Sequence, residues 1–584
     1  MRYENIEEAR FESRPNRFIA YVRTDGGREK VHVKNTGRCR ELLTENAAVY
    51  LNKSDNPGRS TRYDLVAVKK GGRLINMDSQ APNKAVQEWL EKGGLFSDTA
   101  VIRPETTYGG SRFDFYVETS GDKIFIEVKG VTLEQDDVVL FPDAPSERAV
   151  KHVMELAEAV KAGYQAYVIF VVQMENVKYF TPNRKTHPEF AKALILAREA
   201  GVKILACDCK VTPDSMEIGQ SVPVKLSETE AAAQPLLSWY DKNRRILPWR
   251  EDPSPYHVWV SEIMLQQTRV EAVKAYYDRF MKALPDIASL AGADDEELLK
   301  LWEGLGYYNR VRNLKKAAVV IMEEYGGVMP SEYEELLKLP GIGSYTAGAV
   351  SSIAYGKRAP AVDGNVLRVL ARLKGDGRDI SLPAVRAEIT KELWRDMESE
   401  RPGDFNQALM ELGALVCIPV GAPRCAECPW EGLCAAHREK KELDFPVKTP
   451  KKPRTVEEKT VLVILDENRA ALRKRPEGGL LGGMYEFPCL GGHLSGDQVL
   501  AYLKGEGLSV LKIEKLPDSR HIFTHKEWRM IGYAVRVDEL EKYNAKKNAA
   551  QKDKSGMIFA RKQEVREKYP IPSAYSAYLY NFLS

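Results

Sequence analysis

The chain has 584 residues, 43% of them hydrophobic, and its 86 basic and 83 acidic side chains leave a formal net charge of +3. This length excludes a single small globular unit and predicts roughly three to five domains, each able to bury its own core. The near balance of charge excludes a uniformly basic or acidic protein, so only local patches can point to a nucleic-acid partner.

No membrane partner is expected, because no apolar run reaches the ~18–20 residues needed to span a bilayer. Residues 1–14 are charged and lack the apolar segment of a signal peptide. The thiols of Cys207 and Cys209 fit a reducing compartment. We therefore expect a globular cytoplasmic protein.

Residues 112–131 predict a β-hairpin with two carboxylates on one face. If residues 119–122 form the turn, Asp114 lies opposite Glu127, and the period of two places Lys129 on the same face. Opposed carboxylates repel each other unless a cation lies between them. The spacing Asp-x12-Glu-x-Lys is typical of the PD-(D/E)xK nuclease fold, in which a divalent metal activates water. A solvated hairpin face is the alternative.

Short motifs recur between residues 10 and 226: Asn35-Thr-Gly37, Arg112-Phe-Asp-Phe115, Ile126-Glu-Val-Lys-Gly-Val-Thr132, and Phe141-Pro-Asp-Ala-Pro-Ser-Glu-Arg148 with Lys151-His152. Together they resemble the sugar fermentation stimulation protein A (SfsA) family. The resemblance implies an OB-like barrel at residues 1–76 and a PD-(D/E)xK nuclease-like α/β domain at residues 77–228. It implies nucleic acid as a further partner and Mg²⁺ or Mn²⁺ at the carboxylates. A nuclease and a plain binding module both remain open.

Two stretches break the pattern of regular elements. Residues 210–234, rich in Pro, Ser, Gly and small residues, predict a domain boundary that we place at 228/229. Residues 446–456 predict a basic linker, which reaches phosphates or is simply solvated. Its cations are Lys448, Lys451, Lys452 and Arg454.

Between these joints the chain is predicted to be helical. Apolar residues at steps of three and four form one stripe: Val270, Val273, Tyr277, Phe280 and Leu284. Further on, Gly341 and Gly343 predict a helix-hairpin-helix turn with positive φ that brings backbone N–H groups to a phosphate, although packing alone also produces such turns. Asp363 is placed to cap the next helix.

Four cysteines follow within residues 417–434: Cys417, Cys425, Cys428 and Cys434. Thiolate is the soft ligand that iron–sulfur clusters and structural zinc both select. One C-x2-C knuckle flanked by single cysteines favours the cluster over a zinc ribbon, which normally has two knuckles. Disulfides, typical of short secreted chains, are the remaining alternative.

Six further motifs occur in order in this block: Leu247-Pro-Trp-Arg250, Trp259-Val-Ser-Glu-Ile-Met-Leu-Gln-Gln-Thr268, Gly304-Leu-Gly-Tyr-Tyr308, Leu339–Gly348, Val362-Asp-Gly-Asn365 and Phe405-Asn-Gln-Ala408. They resemble the endonuclease III superfamily and, within it, the MutY adenine DNA glycosylases. The resemblance implies an all-α helix-hairpin-helix glycosylase at residues 229–445 with a 4Fe–4S cluster on the four cysteines. The first cysteine gap is seven residues, where the family pattern has six.

The resemblance also implies roles for single residues. Glu262 would protonate the leaving adenine, Asp363 would stabilise the oxocarbenium-like sugar, and Asn365 would orient them. Tyr345 replaces the Schiff-base Lys of endonuclease III, so no backbone cleavage is expected. The implied adenine pocket is Trp249, Arg250, Gln407 and Glu411, and the implied DNA contacts are Gln267, Tyr307, Gly341, Gly343 and Tyr345.

Residues 457–584 contain Arg473-Lys-Arg-Pro-Glu-Gly-Gly-Leu-Leu-Gly-Gly-Met-Tyr-Glu-Phe-Pro488 and Arg520-His-Ile-Phe-Thr-His525. They resemble the Nudix-like α+β domain of adenine glycosylases. No Nudix helix with clustered carboxylates for Mg²⁺ follows Gly482, so binding without hydrolysis is expected. Phe523, Thr524 and His525 would then recognise 8-oxoguanine.

The whole chain is therefore expected to be a multidomain fusion. Its implied activity is a monofunctional adenine DNA glycosylase acting on double-stranded DNA with A:8-oxoguanine or A:G mismatches, joined to an SfsA-like binding or nuclease module. A bifunctional lyase is one rival. The other is a DNA-binding regulator in which the SfsA module is the main activity and the glycosylase is inactive.

Overall fold

The computed structural model describes residues 1–35, 37–56, 58–97, 100–450, 453–467, 469–476, 479–538 and 557–583. Lys451 and Lys452 of the predicted linker lie outside these ranges. The chain divides into two compact units, Met1–Ala231 and Ala232–Ser584. Among the described residues, no helix is both long and apolar enough to cross a membrane.

The first unit begins with a closed five-stranded barrel, because β3 pairs with β5 as well as with β2. A sixth strand extends β5. The strands are β1 Ile6–Ser13, β2 Ile19–Thr24, β3 Gly27–Val33, β4 Ala48–Lys53, β5 Tyr63–Lys70 and β6 Arg73–Asn76. Alternating buried residues such as Ala20 and Val22 fill the interior, as the period of two requires. The predicted OB barrel is confirmed.

A mixed sheet in the order β15-β14-β12-β9-β8-β7 follows, with a small sheet β10-β11-β13 beside it. The strands are β7 Val101–Tyr108, β8 Ser111–Glu118, β9 Lys123–Val131, β10 Leu133–Gln135, β11 Val138–Phe141, β12 Gln165–Val172, β13 Tyr179–Pro182, β14 Lys203–Thr212 and β15 Ser215–Ser221. The helices are α1 Ala81–Glu91, α2 Glu147–Lys161 and α3 Pro188–Glu199.

In this domain one local prediction is confirmed and another is wrong. The hairpin register is as predicted, with Glu118 opposite Lys123 and Phe115 opposite Ile126. Residues 210–212 and 215–221, predicted as part of a boundary stretch, are instead β-strand. The strand β15 pairs with β14 by backbone hydrogen bonds that the Gly- and Ser-rich composition does not reveal.

The second unit opens with a helical domain whose helices pack around two apolar clusters. The helices are α4 Glu228–Asn243, α5 Pro248–Glu251, α6 Pro255–Leu265, α7 Val270–Ala283, α8 Ile287–Gly292, α9 Asp295–Leu301, α10 Asn309–Glu324, α11 Tyr333–Leu336, α12 Ser344–Ala349, α13 Gly364–Lys374, α14 Pro383–Asp396, α15 Pro402–Leu415 and α16 Ala435–Arg438. A π-turn at Val350–Ala354 continues α12. The unit boundary falls inside α4.

The last domain is a sheet in the order β18-β17-β16-β21-β20, with β19 on β16 and β22 on β17. Its strands are β16 Thr455–Asp466, β17 Arg469–Lys474, β18 Tyr485–Glu486, β19 Cys489–Gly491, β20 Val510–Ile522, β21 Lys526–Val537 and β22 Met557–Arg561, and its helices are α17 Gly496–Gly505, α18 Lys562–Glu567 and α19 Ser576–Leu583. Because β16 begins at Thr455, the end of the predicted linker at 446–456 is strand.

Glu296 of α9 anchors this domain on the helical domain. Its carboxylate accepts hydrogen bonds from Tyr485 at 2.9 Å and from Lys474 at 3.0 Å. Nearby, Lys300 donates to the Val565 carbonyl at 3.1 Å. These contacts join the two domains of the second unit along one side of α9.

Candidate functional sites

Glu262 lies on α6, within a stretch in which residues 258–264 are all buried. The Tyr345 hydroxyl donates a hydrogen bond to its Oε2. Burial raises the pKa of Glu262 to about 6; Tyr345 and Arg250 oppose this rise, and the negative charge of Asp363 adds to it. Glu262 therefore keeps its proton up to about pH 6, nearer to neutral pH than an exposed carboxyl group does.

Asp363 caps helix α13, as predicted from its position. Its Oδ1 accepts the backbone N–H groups of Asn365 and Val366 at 2.8 Å, and its Oδ2 accepts the Asn365 side-chain amide at 2.7 Å. A cavity of about 680 Å³ opens beside it and is lined by Arg386 and Lys448, among others. The carboxylate is thus held in a fixed orientation beside a space bordered by cations.

Two arginines on α13 tie this carboxylate to the cysteine segment. Buried Arg368 donates to the Asn365 side-chain oxygen at 3.0 Å, to the Gly413 carbonyl at 2.8 Å and to the Cys417 carbonyl at 2.9 Å. One turn later, Arg372 donates to the Cys417 thiol at 3.3 Å. A single helix therefore orders both the Asp363 cap and the first cysteine.

The residues of the implied adenine pocket come from α5 and α15. Arg250 forms an ion pair with fully buried Glu411, whose other oxygen accepts from Arg245 at 2.8 Å. Trp249 is buried in the helical core, and Gln407 is half-buried one turn before Glu411. The Arg250 charge felt by Glu262 is thus partly neutralised by Glu411.

The predicted hairpin turn has the expected conformation at one glycine only. Gly341 has φ of +78°, and a Cβ there would lie 2.5 Å from the Asn313 Cβ, so a side chain is excluded. The prediction of positive φ at Gly343 is wrong, since this residue has φ of −94° and ψ of 177° as the extended N-cap of α12. Tyr345 follows in the first turn of α12.

Gln267 and Tyr307, the implied base-gap residues, are both exposed and both have positive φ, at +61° and +49°. This region is unfavourable for residues other than glycine and costs roughly 1–3 kcal/mol, so surrounding contacts must hold it. The two loops are 40 residues apart in the chain, yet one arginine side chain binds both.

This side chain is that of Arg310, which was not predicted as a site residue. Its guanidinium stacks between the rings of Trp302 and Tyr307 and donates to five carbonyl oxygens. The carbonyls of the α6 end are those of Ile263 at 2.8 Å, Met264 at 3.2 Å and Gln266 at 2.6 Å, and those of the Tyr307 loop are Leu305 at 2.9 Å and Gly306 at 3.0 Å. Burial lowers the pKa of Arg310 to about 10, still well above neutral pH. Its position two residues after the Tyr-Tyr pair carried no signal without the fold.

A cavity of about 350 Å³ joins the Tyr307 loop to the last domain. Phe523, Thr524 and His525 all line it. The Thr524 hydroxyl lies 3.0 Å from the Tyr307 hydroxyl, and Phe523 packs edge-on against Trp528 with ring centroids 4.8 Å apart. The structure therefore brings the implied lesion-recognition loop directly against the implied base-gap residue.

The four cysteines of the 417–434 segment converge. Burial raises the pKa of Cys428 to about 12, with negative charge on the other three thiols adding to the rise, while the Trp430 N–H opposes it. Burial also raises the pKa of Cys434, and the backbone N–H groups of His437 and Ala436 oppose this rise. Four mutually repelling thiolates supplied with N–H donors fit a multivalent metal group. A second grouping, Cys425 with His437 and Glu442, also has ligand atoms within 4.8 Å of one another.

In the first unit, Asp114 and Glu127 share a largely buried cluster. The Glu127 Oε1 bonds to His152 Nδ1 at 2.6 Å and Lys129 Nζ at 2.5 Å, whereas its buried Oε2 has no hydrogen-bond partner among the described residues. Asp114 accepts from Asn83 at 2.8 Å and from the Val128 N–H at 2.7 Å.

The two carboxylates of this cluster differ in their pKa values. Burial and the charge of Glu127 raise the pKa of Asp114. Burial acts upward on Glu127 too, but the His152 and Lys129 contacts hold its pKa below the ordinary value. His152, which was quoted only as part of a motif, is therefore a site residue that the hairpin pattern could not reveal, because it reaches Glu127 from α2.

Comparison with known proteins agrees with the division of the chain into two units. The SfsA N-terminal OB domain matches residues 13–77 and the sugar fermentation stimulation protein RE domain matches residues 80–215. A sugar fermentation stimulation protein homolog of Desulfitobacterium hafniense is 60% identical over 228 residues, which cover 39% of this chain and all of the relative. The chain belongs to the sugar fermentation stimulation protein family. A Ruminiclostridium cellulolyticum homolog is 58% identical and also fully covered, again over 39% of this chain.

The SfsA-family module is fused to a DNA repair glycosylase. The HhH-GPD superfamily base excision DNA repair protein model matches residues 260–396, and a NUDIX domain model matches residues 460–581. The resemblance to the endonuclease III superfamily is confirmed at this level.

The solved structures that this chain is similar to each cover only one part of it. Pyrococcus furiosus SfsA in complex with Ca²⁺ is 29% identical with a TM-score of 0.36, over 38% of this chain and 98% of that one. A thermostable thymine-DNA glycosylase is 30% identical with a TM-score of 0.34, over 36% and 97%. An endonuclease III–DNA covalent intermediate is 24% identical with a TM-score of 0.32, over 37% and 98%.

Replacing Arg310 by Lys should loosen both exposed loops, because a single ammonium cannot reach five carbonyls on two segments. We expect a loss of about 3 kcal/mol in the free energy of unfolding of the second unit and weaker binding of mismatched duplex DNA. Denaturant unfolding and fluorescence anisotropy measure these two effects. Arg279→Lys, a change at an exposed arginine on α7, is the matched control. Equal losses of stability and duplex binding in the two variants would disprove the proposal that Arg310 holds the two loops.

Proposed function

We propose that the second unit is a monofunctional adenine DNA glycosylase that removes adenine paired with 8-oxoguanine or guanine in double-stranded DNA. The observation that carries this proposal is the buried Glu262 hydrogen-bonded to Tyr345, beside Asp363. Adenine leaves slowly unless N7 is protonated, and Glu262 supplies an acid with a pKa of about 6. Adenine must first rotate out of the duplex, and Gln267 with Tyr307 fills the gap.

Loss of the base leaves positive charge on the sugar. Asp363 carries the opposing charge, and its hydrogen bonds from Asn365 and the helix backbone fix its direction before the reaction. Arg250, Gln407, Glu411 and Trp249 complete the base pocket. The phenol of Tyr345 cannot form an imine, so the DNA backbone stays intact.

The last domain supplies the lesion check in this proposal. Phe523, Thr524 and His525 read the base opposite adenine, and the Tyr307–Thr524 contact couples that reading to the gap-filling loop. Directly after Gly482 the described chain forms the short strands β18 and β19, and the next helix, α17, carries one carboxylate, that of Asp497; this supports recognition without Nudix hydrolysis.

Cys417, Cys425, Cys428 and Cys434 would hold a 4Fe–4S cluster. The cluster would supply a fixed positive core that binds four thiolates and shapes the surrounding loop for DNA. The residues of this chain do the positioning, because Arg372 donates to Cys417 and Arg368 connects that loop to Asn365. Zinc bound by Cys425, His437 and Glu442 is the competing assignment.

For the first unit we propose a divalent-metal site for Mg²⁺ or Mn²⁺ on Asp114 and Glu127, serving a nucleic-acid-cleaving activity. The unpartnered, buried Glu127 Oε2 beside Asp114 supports it, since two carboxylates with a free lone pair suit a hard cation. Lys129 would steady the water or phosphate, and His152 orients Glu127. A DNA-binding regulatory role of this module is the second candidate, supported by the OB barrel.

The excision rate should follow the proton on Glu262. Above pH 6 we expect the single-turnover rate on an A:8-oxoguanine duplex to fall about tenfold per pH unit, because the acid is then ionised. Tyr345→Phe should move the inflection to higher pH, since the Tyr345 hydrogen bond lowers this pKa. Glu262→Gln should bind the duplex yet lose ~10²–10⁴-fold in rate. A flat pH profile with normal turnover by Glu262→Gln would disprove the role.

The purified protein should contain about four irons and absorb broadly in the visible range. Cys428→Ser should lower the iron content and weaken duplex binding, because one cluster ligand and the loop geometry are lost. Elemental analysis after anaerobic purification measures this, with Cys489→Ser as the control outside the group. Stoichiometric zinc without iron, lost on His437→Ala, would favour the competing assignment.

Mn²⁺ should bind the first unit of the full-length chain, with binding lost in Asp114→Asn and Glu127→Gln. Titration calorimetry of the Cys428→Ser protein, without the cluster, measures it. Glu118→Gln changes another acid on β8, the strand that carries Asp114, and should bind Mn²⁺ as wild type does. Since Asp114 and Glu127 repel each other, Asp114→Asn should unfold no earlier than wild type in EDTA. Wild-type Mn²⁺ affinity in Asp114→Asn would exclude the site.

A further inference from the structure

A cleft of about 910 Å³ lies in the first unit, where the loop after β3 meets the segment before α2. Its floor is apolar and includes Phe11, Leu43 and Pro142, all of them buried. Its rim carries the exposed side chains of Arg17 and Arg38, together with that of Arg40. Gly37 and residues 141–146, which belong to two different sequence motifs, meet here although about one hundred residues separate them.

The rim is a built structure and not a loose loop. Half-buried in the cleft wall, the guanidinium of Arg14 donates to four carbonyl oxygens: those of Arg17 at 2.8 Å, Asn35 at 2.7 Å, Gly37 at 3.0 Å and Arg38 at 2.8 Å. The Asp143 carboxylate accepts the Arg38 N–H at 3.1 Å. A Cβ at Gly37 would lie 2.0 Å from that carboxylate, so the two segments fit closely.

Four arginines and one carboxylate, that of Asp143, line the cleft, so its net charge is positive. Among the ion pairs of the described chain, none involves Arg17, Arg38 or Arg40, although most other arginines of the barrel, such as Arg23 and Arg59, pair with carboxylates. A guanidinium presents several N–H donors in a fork that matches phosphate oxygens. Three such groups around one cleft therefore suit a chain of phosphates better than a single small anion.

The cleft leads toward the acidic cluster along α2. Ser146, at the cleft, caps α2, and His152, which bonds to Glu127, lies six residues further on. Six residues of helix correspond to about 9 Å. Exposed Arg148 and Lys151 lie on the stretch between them. At about 3.4 Å or more per nucleotide, this distance corresponds to at most two or three nucleotides.

We propose that the cleft binds the phosphodiester backbone of single-stranded nucleic acid and directs the strand to the Asp114–Glu127 cluster. The apolar floor suits unpaired bases and sugars, and a cavity of this size accepts a few nucleotides. This inference rests on the metal site proposed above for the destination of the strand, whereas binding itself requires only the arginines.

The test is binding of fluorescent twelve-residue oligothymidine to the full chain in EDTA, measured by anisotropy between 50 and 200 mM salt. The variant Arg17→Gln/Arg38→Gln/Arg40→Gln should bind at least about tenfold more weakly, and the slope of log K against log salt should fall in magnitude by about 2, as three lost phosphate contacts predict. Arg10→Gln/Arg103→Gln/Lys161→Gln removes the same charge at other exposed positions of the unit and should bind as wild type. An oligouridine of equal length distinguishes RNA from DNA as the strand.

Several outcomes would overturn the proposal. One is unchanged oligothymidine binding by the cleft variant, and another is loss of binding only in Arg386→Gln/Lys391→Gln of the second unit. A third is equal competition by polyglutamate, which would make the cleft a general anion patch. Asp114→Asn should leave oligothymidine binding in EDTA intact while abolishing Mn²⁺ binding, so failure of the metal site and failure of the cleft give different results.

Discussion

The need to keep a proton on a buried carboxyl group constrains the whole second unit. Glu262 remains an acid only because α6 passes through the core, where water is excluded and the charged form is penalised. An unpaired cation close to Glu262 would lower its pKa again. The ion pair between Arg250 and completely buried Glu411 limits this lowering. It gives a physical reason why a second carboxylate is buried nearby.

The first unit solves the opposite problem with the same residue type. Glu127 is as deeply buried as Glu262, yet His152 and Lys129 keep it ionised. An ionised, partly unpartnered carboxylate suits the proposed cation, whereas one that keeps its proton suits the proposed proton donor to a leaving base. One chain thus contains two buried glutamates whose pKa values lie on opposite sides of the ordinary value, because burial outweighs the opposing contacts at Glu262 and the His152 and Lys129 contacts outweigh burial at Glu127.

Positioning in the second unit depends on arginines that bind backbone carbonyls. Arg310 holds two loops with unfavourable φ angles, and Arg368 connects the Asp363 cap to the cysteine segment. A buried guanidinium can satisfy several carbonyls at once, so it fixes segments that no regular hydrogen-bond ladder joins. These two side chains explain how exposed, strained loops and the cysteine segment can stay in register with the buried acid.

The sequence by itself determined the features that depend on neighbours a few residues away. The β8–β9 hairpin register, the stripe of α7, the Asp363 cap and the cysteine group follow from the periods of strands and helices and from local side-chain reach. Motif resemblance added the order of domains. Gly343 and residues 210–221 were mispredicted, because composition does not show which backbone partner a segment will find.

Only the tertiary structure decided the contacts that carry the chemistry. The Tyr345–Glu262 bond joins residues 83 positions apart, and Tyr307–Thr524 joins residues 217 apart. His152, Arg310 and the cleft arginines likewise gain their meaning from segments distant in the chain. A pKa or a binding cleft depends on burial and on charges within a few ångströms, and those distances exist only after the helices and sheets have packed.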